Sequence, residues 1–284
     1  MAIPVFPHFG PIASPPGTVP DPKPVIACAD ATTPGSRIAK LIIALPFMHR
    51  RRKRGEYLFR TGDTFHSLYL LEEGFVRTSS LSAEGREQII GLHLRGDILG
   101  LEAVATGTCG CDAIALDTCD VLALPYEVLI ECSQGNPELV RELHQAFSAQ
   151  IHNDRALMLS MGSLPAAGRV AAFLLEMSRR FASRGFSATQ LQLLLSREEI
   201  GSMLGLKLET VSRAFSRFAQ LGLITVCLRE IVLLNRDGLL DVIAQPAGAK
   251  RGAESIFSTQ RIFPRLSLPS EATGALPVSA SCVS

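Results

Sequence analysis

Short apolar and alternating runs occupy the first half of the chain. Six of them lie between glycine-containing turns, and each is three to eight residues long. Closely spaced turns between β-type runs predict an antiparallel barrel or sandwich. The predicted strands cover residues 57–59, 67–71, 75–80, 87–94, 113–115 and 120–124.

After Pro137 the apolar spacing changes to that of a helix. One stripe recurs at steps of four, four, three and four residues, as on one helix face. About 25 residues at 1.5 Å each give a helix of roughly 37 Å. Such a helix packs against a second copy of itself or serves as an ordinary core helix, and the first interpretation is favoured. The predicted dimerisation stripe comprises Leu143, Phe147, Ile151, Asp154 and Met158.

Asp154 places a charge in this otherwise apolar stripe. Two copies would meet near a twofold axis, where like charges oppose association. The adjoining His152 and Arg155 could soften the repulsion. A solvated carboxylate at the edge of the seam is an equally open interpretation. In a dimer, the first interpretation makes Asp154 a limit on stability.

Shorter helical segments follow, at residues 166–184, 196–204 and 208–221. The tripeptide Gly205-Leu206-Lys207 joins the last two, and β-type runs at 224–226 and 231–234 come after them. Two helices joined by a tight glycine-containing turn and followed by a hairpin describe a winged helix-turn-helix.

Composition bounds the rest of the chain. Its 284 residues, 47% hydrophobic, suffice for one or two domains between proline-rich segments at 1–35 and 246–284, which are predicted to be disordered tails. No run approaches the roughly 18 apolar residues of a membrane span, and the N-terminus is broken by proline, so a cytoplasmic protein is expected. Seven cysteines, an odd number, indicate a reducing compartment rather than a disulfide framework.

Charge is distributed unevenly although the net charge is only +1. Residues 169–229 hold nine Lys or Arg against four acids, which fits phosphate contact or an ordinary solvated face. A second basic run, from His49 to Arg54, could contact DNA or an acidic partner. A solvated strand face is the favoured interpretation of that run.

The predicted helix-turn-helix carries local signals at both helices. Ser196 and Glu199 form a capping box, in which each side chain bonds the other residue's amide. Four apolar residues are placed to lock the two helices together: Ile200, Leu204, Leu206 and Val211.

The second helix presents polar residues at offsets of 0, 3, 4 and 8, which share one face: Glu209, Ser212, Arg213 and Arg217. Arginine can donate two hydrogen bonds to guanine, glutamate can accept from cytosine, and serine can serve a base or a phosphate. An ion pair between Glu209 and Arg213 is the alternative. Spacing alone leaves base reading and the ion pair equally open.

These motifs resemble the Crp/Fnr regulators. Glu209, Ser212 and Arg213 form the E-x-x-S-R pattern typical of the Fnr branch, within a similar segment at 195–226. The similarity continues through residues 178–187, 58–63, 67–69 and 91–97, and it spans about residues 40–245. Several motifs in the right order make the resemblance specific.

The resemblance implies an α+β fold in three parts. It places a β-roll sensor domain of the cyclic-nucleotide-binding type, a double-stranded β-helix, at 36–136. A dimerisation helix at 137–163 and a winged helix-turn-helix at 164–245 follow. It also implies a homodimer on double-stranded DNA, at a palindrome whose half resembles TTGAT.

In that half-site Arg213 would read the guanine, Glu209 its paired cytosine, and Ser212 a neighbouring thymine. The predicted DNA contacts also include Arg217 and three residues at helix starts: Ser196, Arg197 and Lys207. Lys207 stands where the family often has a capping Ser or Thr, and it could contact phosphate instead.

RNA polymerase is a further implied partner. Phe186 and Ser187 resemble part of the surface that such activators present to it. The same two residues could instead cap a helix end.

Two familiar signals are not expected. Cyclic-nucleotide pockets of this fold carry Arg-Ser/Thr-Ala, but no arginine lies between Arg95 and Pro125, and Asp112 precedes Ala113. A cyclic AMP phosphate would lack its cation.

Fnr-type iron–sulfur clusters use three closely spaced N-terminal cysteines and one internal cysteine, but only Cys28 precedes residue 109 and the internal position falls at Leu122. No cofactor is therefore predicted.

Four cysteines remain within 24 residues: Cys109, Cys111, Cys119 and Cys132. They are interpreted as a thiol switch, an alternative metal site or, preferably, small buried apolar residues.

The leading hypothesis is a homodimeric Fnr-type regulator, an activator by resemblance. A cyclic-nucleotide-responsive or thiol-responsive regulator of the same fold is the alternative. No H-E-x-x-H, P-loop or glycine-rich dinucleotide turn is present, so an enzyme is not expected.

Overall fold

A computed structural model describes residues 47–244 of the chain. The predicted tails at 1–35 and 246–284, and the start of the predicted sensor domain, lie outside the described residues. None of the described helices is both long enough and apolar enough to cross a membrane.

Eight strands form the β-roll. They make two four-stranded antiparallel sheets, with orders β1-β8-β3-β6 and β2-β7-β4-β5. A 3₁₀ turn at Leu101–Val104 connects the sixth strand toward the seventh. The strands are β1 (Met48–Arg52), β2 (Tyr57–Phe59), β3 (Ser67–Glu73), β4 (Phe75–Leu81), β5 (Glu87–Leu94), β6 (Ile98–Leu99), β7 (Asp112–Ala115) and β8 (Cys119–Pro125).

Strands β3 and β8 are buried on both faces. Leu71 and Val121 point into the roll, where they pack in one cluster. The next residues along, Leu70 and Leu122, pack in a second cluster on the outside. Side chains alternate across a strand, so two apolar faces require cover on both sides of the sheet. Helices α1 (Tyr126–Ser133) and α2 (Pro137–Ser163) supply the outer cover.

Helix α2 begins where the sequence predicts it. The Asn136 side chain accepts a hydrogen bond from the Leu139 amide at 3.1 Å, and Pro137 occupies the first turn. Its 27 residues make a helix of about 40 Å.

The structure divides the predicted dimerisation stripe of α2 into two halves. Leu143 and Phe147 pack against the outer cluster of their own roll. Ile151 and Met158 are 50% and 68% exposed. The roll partly covers the N-terminal part of the stripe, so the C-terminal part is its most exposed part.

The second half of the described chain is a winged helix-turn-helix. Its three-stranded sheet has the order β10-β11-β9 and is antiparallel throughout. Its elements are α3 (Ala166–Ala182), β9 (Gln190–Gln192), α4 (Arg197–Leu204), α5 (Leu208–Gln220), β10 (Ile224–Cys227), β11 (Glu230–Leu233) and α6 (Arg236–Ala244).

Several elements were not predicted. Strands β6 and β9 have two and three residues, too few for a periodic signal. Strand β1 contains residues 49–52 of the basic run, whose exposed side chains hide the alternation, and this exposure agrees with the favoured interpretation of a solvated strand. It is recognisable only from its pairing with β8, in which Met48 lies opposite Ala123.

The turn of the helix-turn-helix depends on Gly201. A Cβ atom there would lie 2.7 Å from the backbone oxygen of Leu206, closer than real Cβ contacts allow. Since the Leu206 amide also donates to the Gly201 oxygen at 2.8 Å, neither backbone can move away freely.

We therefore expect Gly201→Ala to destabilise the protein by about 1–3 kcal/mol, because overpacking outweighs the gain in helix propensity. Gly162→Ala in α2 is the matched control, since nothing lies within 4 Å of its added Cβ. That control should be neutral or stabilising. Urea unfolding of both variants measures the difference, and equal stabilities would contradict this account of the turn.

Candidate nucleic-acid interface

The first helix of the pair is held by its N-terminal cap. The Ser196 Oγ accepts from the Glu199 amide at 3.1 Å, and the Glu199 Oε2 accepts from the Ser196 amide at 2.7 Å. The predicted capping box is therefore present. Helix α4 ends at Gly205, whose φ of +63° is a left-handed value that glycine adopts without strain.

Helix α5 separates an apolar face from a polar one. Its buried face packs into the core of the domain through Val211, Ala214, Phe215 and Phe218. On the other side Glu209, Arg213 and Arg217 are exposed and Ser212 is half-buried. The structure thus brings the four predicted reading residues onto one accessible face.

The alternative of an ion pair within this face is not realised. Among the salt bridges of residues 47–244, none joins Glu209 to Arg213. Both side chains therefore keep their hydrogen-bonding groups available to a base edge.

The three predicted contacts at helix starts differ in their surroundings. Lys207 is exposed at the N-cap of α5 and makes no side-chain capping bond. Ser196 is engaged in the capping box. The Arg197 guanidinium lies 3.7 Å from the centre of the Phe215 ring, so this side chain packs on α5. DNA contact by these three residues stays a prediction.

The wing adds two residues that the sequence had not singled out for DNA. Leu228 is 94% exposed at the tip of the hairpin, with a φ of +53°, and exposed Arg229 follows it. A groove of about 230 Å³ separates the wing from the start of α4, and it is lined by Leu193, Leu195, Ser196, Arg197, Leu228 and Arg229. Arg229 and Arg197 line this groove together, and the Arg229 backbone oxygen accepts from the Leu193 amide at 2.9 Å, which ties the wing to the segment before α4.

The β-roll does not fit a cyclic nucleotide phosphate at the expected position. If Ala113 is matched to the alanine of Arg-Ser/Thr-Ala, Cys111 stands in place of the arginine. Its thiol donates to Glu102 Oε1 at 3.4 Å, and the neighbouring Asp112 accepts from the Thr61 amide at 2.7 Å. A phosphate there would face carboxylates without a balancing cation.

The three clustered cysteines of the roll are buried thiols. Cys119 donates to the backbone oxygens of Phe75 and Asp117 at 3.2 and 3.3 Å. Burial raises the pKa of Cys109 to about 11, and nearby Glu102 and Asp63 add to the shift. Burial and Glu102 likewise raise the pKa of Cys111.

These thiols do not form a metal site in the described part of the chain. Residues 47–244 contain no group of three or more His, Cys, Asp or Glu placed to hold a metal ion. The internal cluster position, Leu122, is a fully buried core residue. The burial and the raised pKa values of Cys109, Cys111 and Cys119 favour the interpretation of these three cysteines as core residues.

A β-roll joined through a long helix to a winged helix-turn-helix with an exposed reading face defines a DNA-binding regulator. Comparison with protein-family models agrees with this class. Residues 168–242 match the Crp-like helix-turn-helix domain, and residues 49–136 match the cyclic nucleotide-binding domain.

Individual proteins show the same relationship. The chain is 44% identical over 186 residues to the transcriptional activator protein Anr of Pseudomonas aeruginosa, covering 66% of this chain and 76% of that protein. It is 37% identical to the fumarate and nitrate reduction regulatory protein of Escherichia coli, over 70% and 78% of the two chains. The structure of FixK2 from Bradyrhizobium japonicum superposes with a TM-score of 0.65 and 32% identity, covering 72% of this chain and all of that one.

The chain belongs to the Crp/Fnr family of DNA-binding transcription regulators. This confirms the family, fold class and regulatory role that the sequence motifs indicated. Because the family consists of transcription regulators, the expectation that the chain is not an enzyme is also confirmed.

The cysteine environments predict an order of alkylation. At pH 8 a thiol with a pKa of about 11 is only about 0.1% thiolate, so Cys109 should react slowly, and Cys111 more slowly still. Cys227 is exposed on the wing and should be labelled before the other cysteines of residues 47–244. Peptide mapping after a short iodoacetamide pulse measures the order, and labelling in urea is the control. Equal rates at Cys109 and Cys227 in the folded protein would refute these environments.

Proposed function

We propose that this protein is an Fnr-type transcription activator that binds a TTGAT-like palindrome as a homodimer. The single observation that carries the proposal is the exposed face of α5, where Glu209, Ser212 and Arg213 lie side by side without pairing to each other. Relatives that are 44% identical bear the name of transcriptional activators, which supports the direction of regulation.

Two of the predicted reading residues, Arg213 and Glu209, would each contact a specific base in such a half-site. Arg213 would donate two hydrogen bonds to the guanine, and Glu209 would accept from the cytosine paired with it. A carboxylate that faced only phosphates would be repelled, so an unpaired glutamate on this face supports base reading. The exposed Lys207, Arg217 and Arg229 would supply sequence-independent phosphate contacts.

The dimer would form along the C-terminal part of α2. Ile151, Met158 and the neighbouring Leu159, which is 61% exposed, leave an apolar surface there. Isologous pairing of this surface would bury it and would bring two Asp154 carboxylates together. We propose that these residues hold the dimer, with Leu143 and Phe147 supporting the helix on the roll.

The proposed regulator works without cyclic AMP and without the family's iron–sulfur cluster. The carboxylates around Cys111 and the buried thiols support this for the described residues, while Cys28 lies outside them. Phe186, 48% exposed beside Phe181, is the proposed contact with RNA polymerase.

Replacement of Arg213 tests the reading assignment. Arg213→Gln should cost about 1–3 kcal/mol on the TTGAT-like palindrome and should relax discrimination at the guanine. Lys207→Ala is the matched control for loss of charge. It should weaken binding similarly on all sequences and reduce the salt dependence by about two units of slope, about one for each subunit of the dimer.

Fluorescence anisotropy with wild-type and guanine-substituted sites measures both effects. If Arg213→Gln weakened binding equally on every sequence, Arg213 would be a phosphate contact and the proposed assignment would be wrong.

Replacement of Asp154 tests the dimer. Gln150 Nε2 donates to its carboxylate at 2.8 Å. Burial raises the Asp154 pKa, the bond from Gln150 lowers it, and nearby Glu102 raises it again, with a net increase. Asp154→Ala should strengthen dimerisation and operator binding, because it removes like-charge repulsion across the axis.

A carboxylate at the dimer axis also predicts a pH dependence of the association. Since the carboxylate is neutralised as the pH falls toward its raised pKa, the wild-type dimer should become more stable below neutral pH, and Asp154→Ala should lose that gain. Glu138→Ala, which removes a charge from the other end of α2, is the control. Sedimentation equilibrium measures the association, and an unchanged dimer in Asp154→Ala would disprove the placement of Asp154 at the axis.

A further inference from the structure

The sensor roll grips the first helix of the helix-turn-helix directly. The Ser202 hydroxyl of α4 accepts from the Ile89 amide of β5 at 2.9 Å and donates to the backbone oxygen of Glu87 at 3.3 Å. Gln88 Nε2 donates to the Ser202 backbone oxygen. We call these contacts, together with the ion pair between Arg77 and Glu199, the hairpin clamp.

The ion pair uses the second oxygen of the capping-box carboxylate. Arg77 Nε of β4 lies 3.3 Å from Glu199 Oε1, while Glu199 Oε2 serves the Ser196 amide. Arg77 is also held by Glu87, at 2.5 Å, and its side chain is largely buried. The Glu199 carboxylate therefore joins the N-terminal cap of α4 to strand β4 of the β-roll.

Strand β5 requires such a cover because it is one of the two edge strands of its sheet. Its pairing with β4 shifts between Thr78, opposite Gly91, and Ser79, opposite Ile89, so Ile90 is an extra residue in a bulge. Unpaired amides at an open edge need partners, and Ser202 supplies one to Ile89.

A second anchor lies beyond the end of β5. Asp97 accepts from Arg180 at 2.6 Å and from Arg184, both at the C-terminal end of α3 or just after it. Arg184 also donates to the Arg95 backbone oxygen at 2.6 Å. Between the two anchors, apolar residues of β5 share one buried cluster with α3 and α4: Ile89, Leu92, Leu94, Met177, Phe181 and Met203.

We propose that the hairpin clamp sets the position of each winged helix-turn-helix, here called the reading head, on its β-roll. The two reading heads of a dimer would then match the spacing of the operator half-sites. Arg77 and Ser202 are then positioning residues for DNA recognition. The proposal rests on the dimeric operator binding proposed above. It is favoured because the clamp grips α4 and leaves the reading face of α5 exposed.

The physical effect is one of effective concentration. Half-sites are separated by about one helical turn, roughly 34–36 Å, so the second head binds readily only if it is already held at that distance. A released head would still recognise a half-site, but it would no longer be aligned with its twin.

The experiment compares the double variant Arg77→Ala/Ser202→Ala with Arg77→Lys/Ser202→Thr in the full chain. The first removes the ion pair and both hydroxyl bonds, whereas the second keeps a cation and a hydroxyl. Both leave the capping bond of Glu199 Oε2 in place. Affinities are measured for the palindrome, for a single half-site, and for a palindrome whose spacer is two base pairs longer. Hydrogen exchange of the Ile89 amide reports the clamp itself.

For the alanine variant we expect faster exchange at Ile89 and roughly tenfold weaker palindrome binding, with half-site binding changed less than about twofold. It should also lose most of the wild-type preference for the shorter spacer. The conservative variant should restore both.

The proposal is overturned if palindrome and half-site binding weaken together, because the contacts would then only stabilise the fold. It is equally overturned if exchange at Ile89 accelerates while the spacer preference persists, or if exchange does not change. Failure of the proposed function is distinguishable, since wild-type protein would then show no preference for the palindrome over a half-site.

Discussion

The open edge of strand β5 is the constraint that joins the two halves of this protein. A sheet with the strand order β2-β7-β4-β5 has two edge strands, and along the outer edge of β5 the backbone groups have no strand partner. Helix α4 covers this row with the hydroxyl of Ser202, and α3 closes the far end through Asp97. Strand β5 of the roll and the winged helix-turn-helix therefore share one buried apolar cluster, so α2 is not the sole connection between the two parts.

The interior of the β-roll is also closely packed. Its interior is filled by its own side chains, including Cys109, Cys111 and Cys119. Burial raises the pKa of each of these thiols, and for Cys109 and Cys111 the nearby Glu102 carboxylate raises it further. Packed thiols and carboxylates therefore lie at the position where a nucleotide phosphate would need a cation.

Agreement between sequence and structure is best where signals are local. The capping box at Ser196, the start of α2 at Asn136 and the exposed face of α5 each depend on residues within one or two turns, and all three are present. Elements whose existence depends on a distant partner were missed. Strand β1 exists because it pairs with β8, and α1 exists because the outer face of the roll needs cover.

The sequence by itself determined the family, the shared face of the predicted reading residues on α5 and the apolar stripe on α2, because periodicity and motif spacing are properties of neighbouring residues. Only the tertiary structure decided how much of that stripe is free, since the roll covers Leu143 and Phe147 but not Met158. It also decided that Arg197 packs on a ring and that Ser202 meets β5. Those outcomes follow from contacts between residues far apart in the chain, which no local pattern encodes.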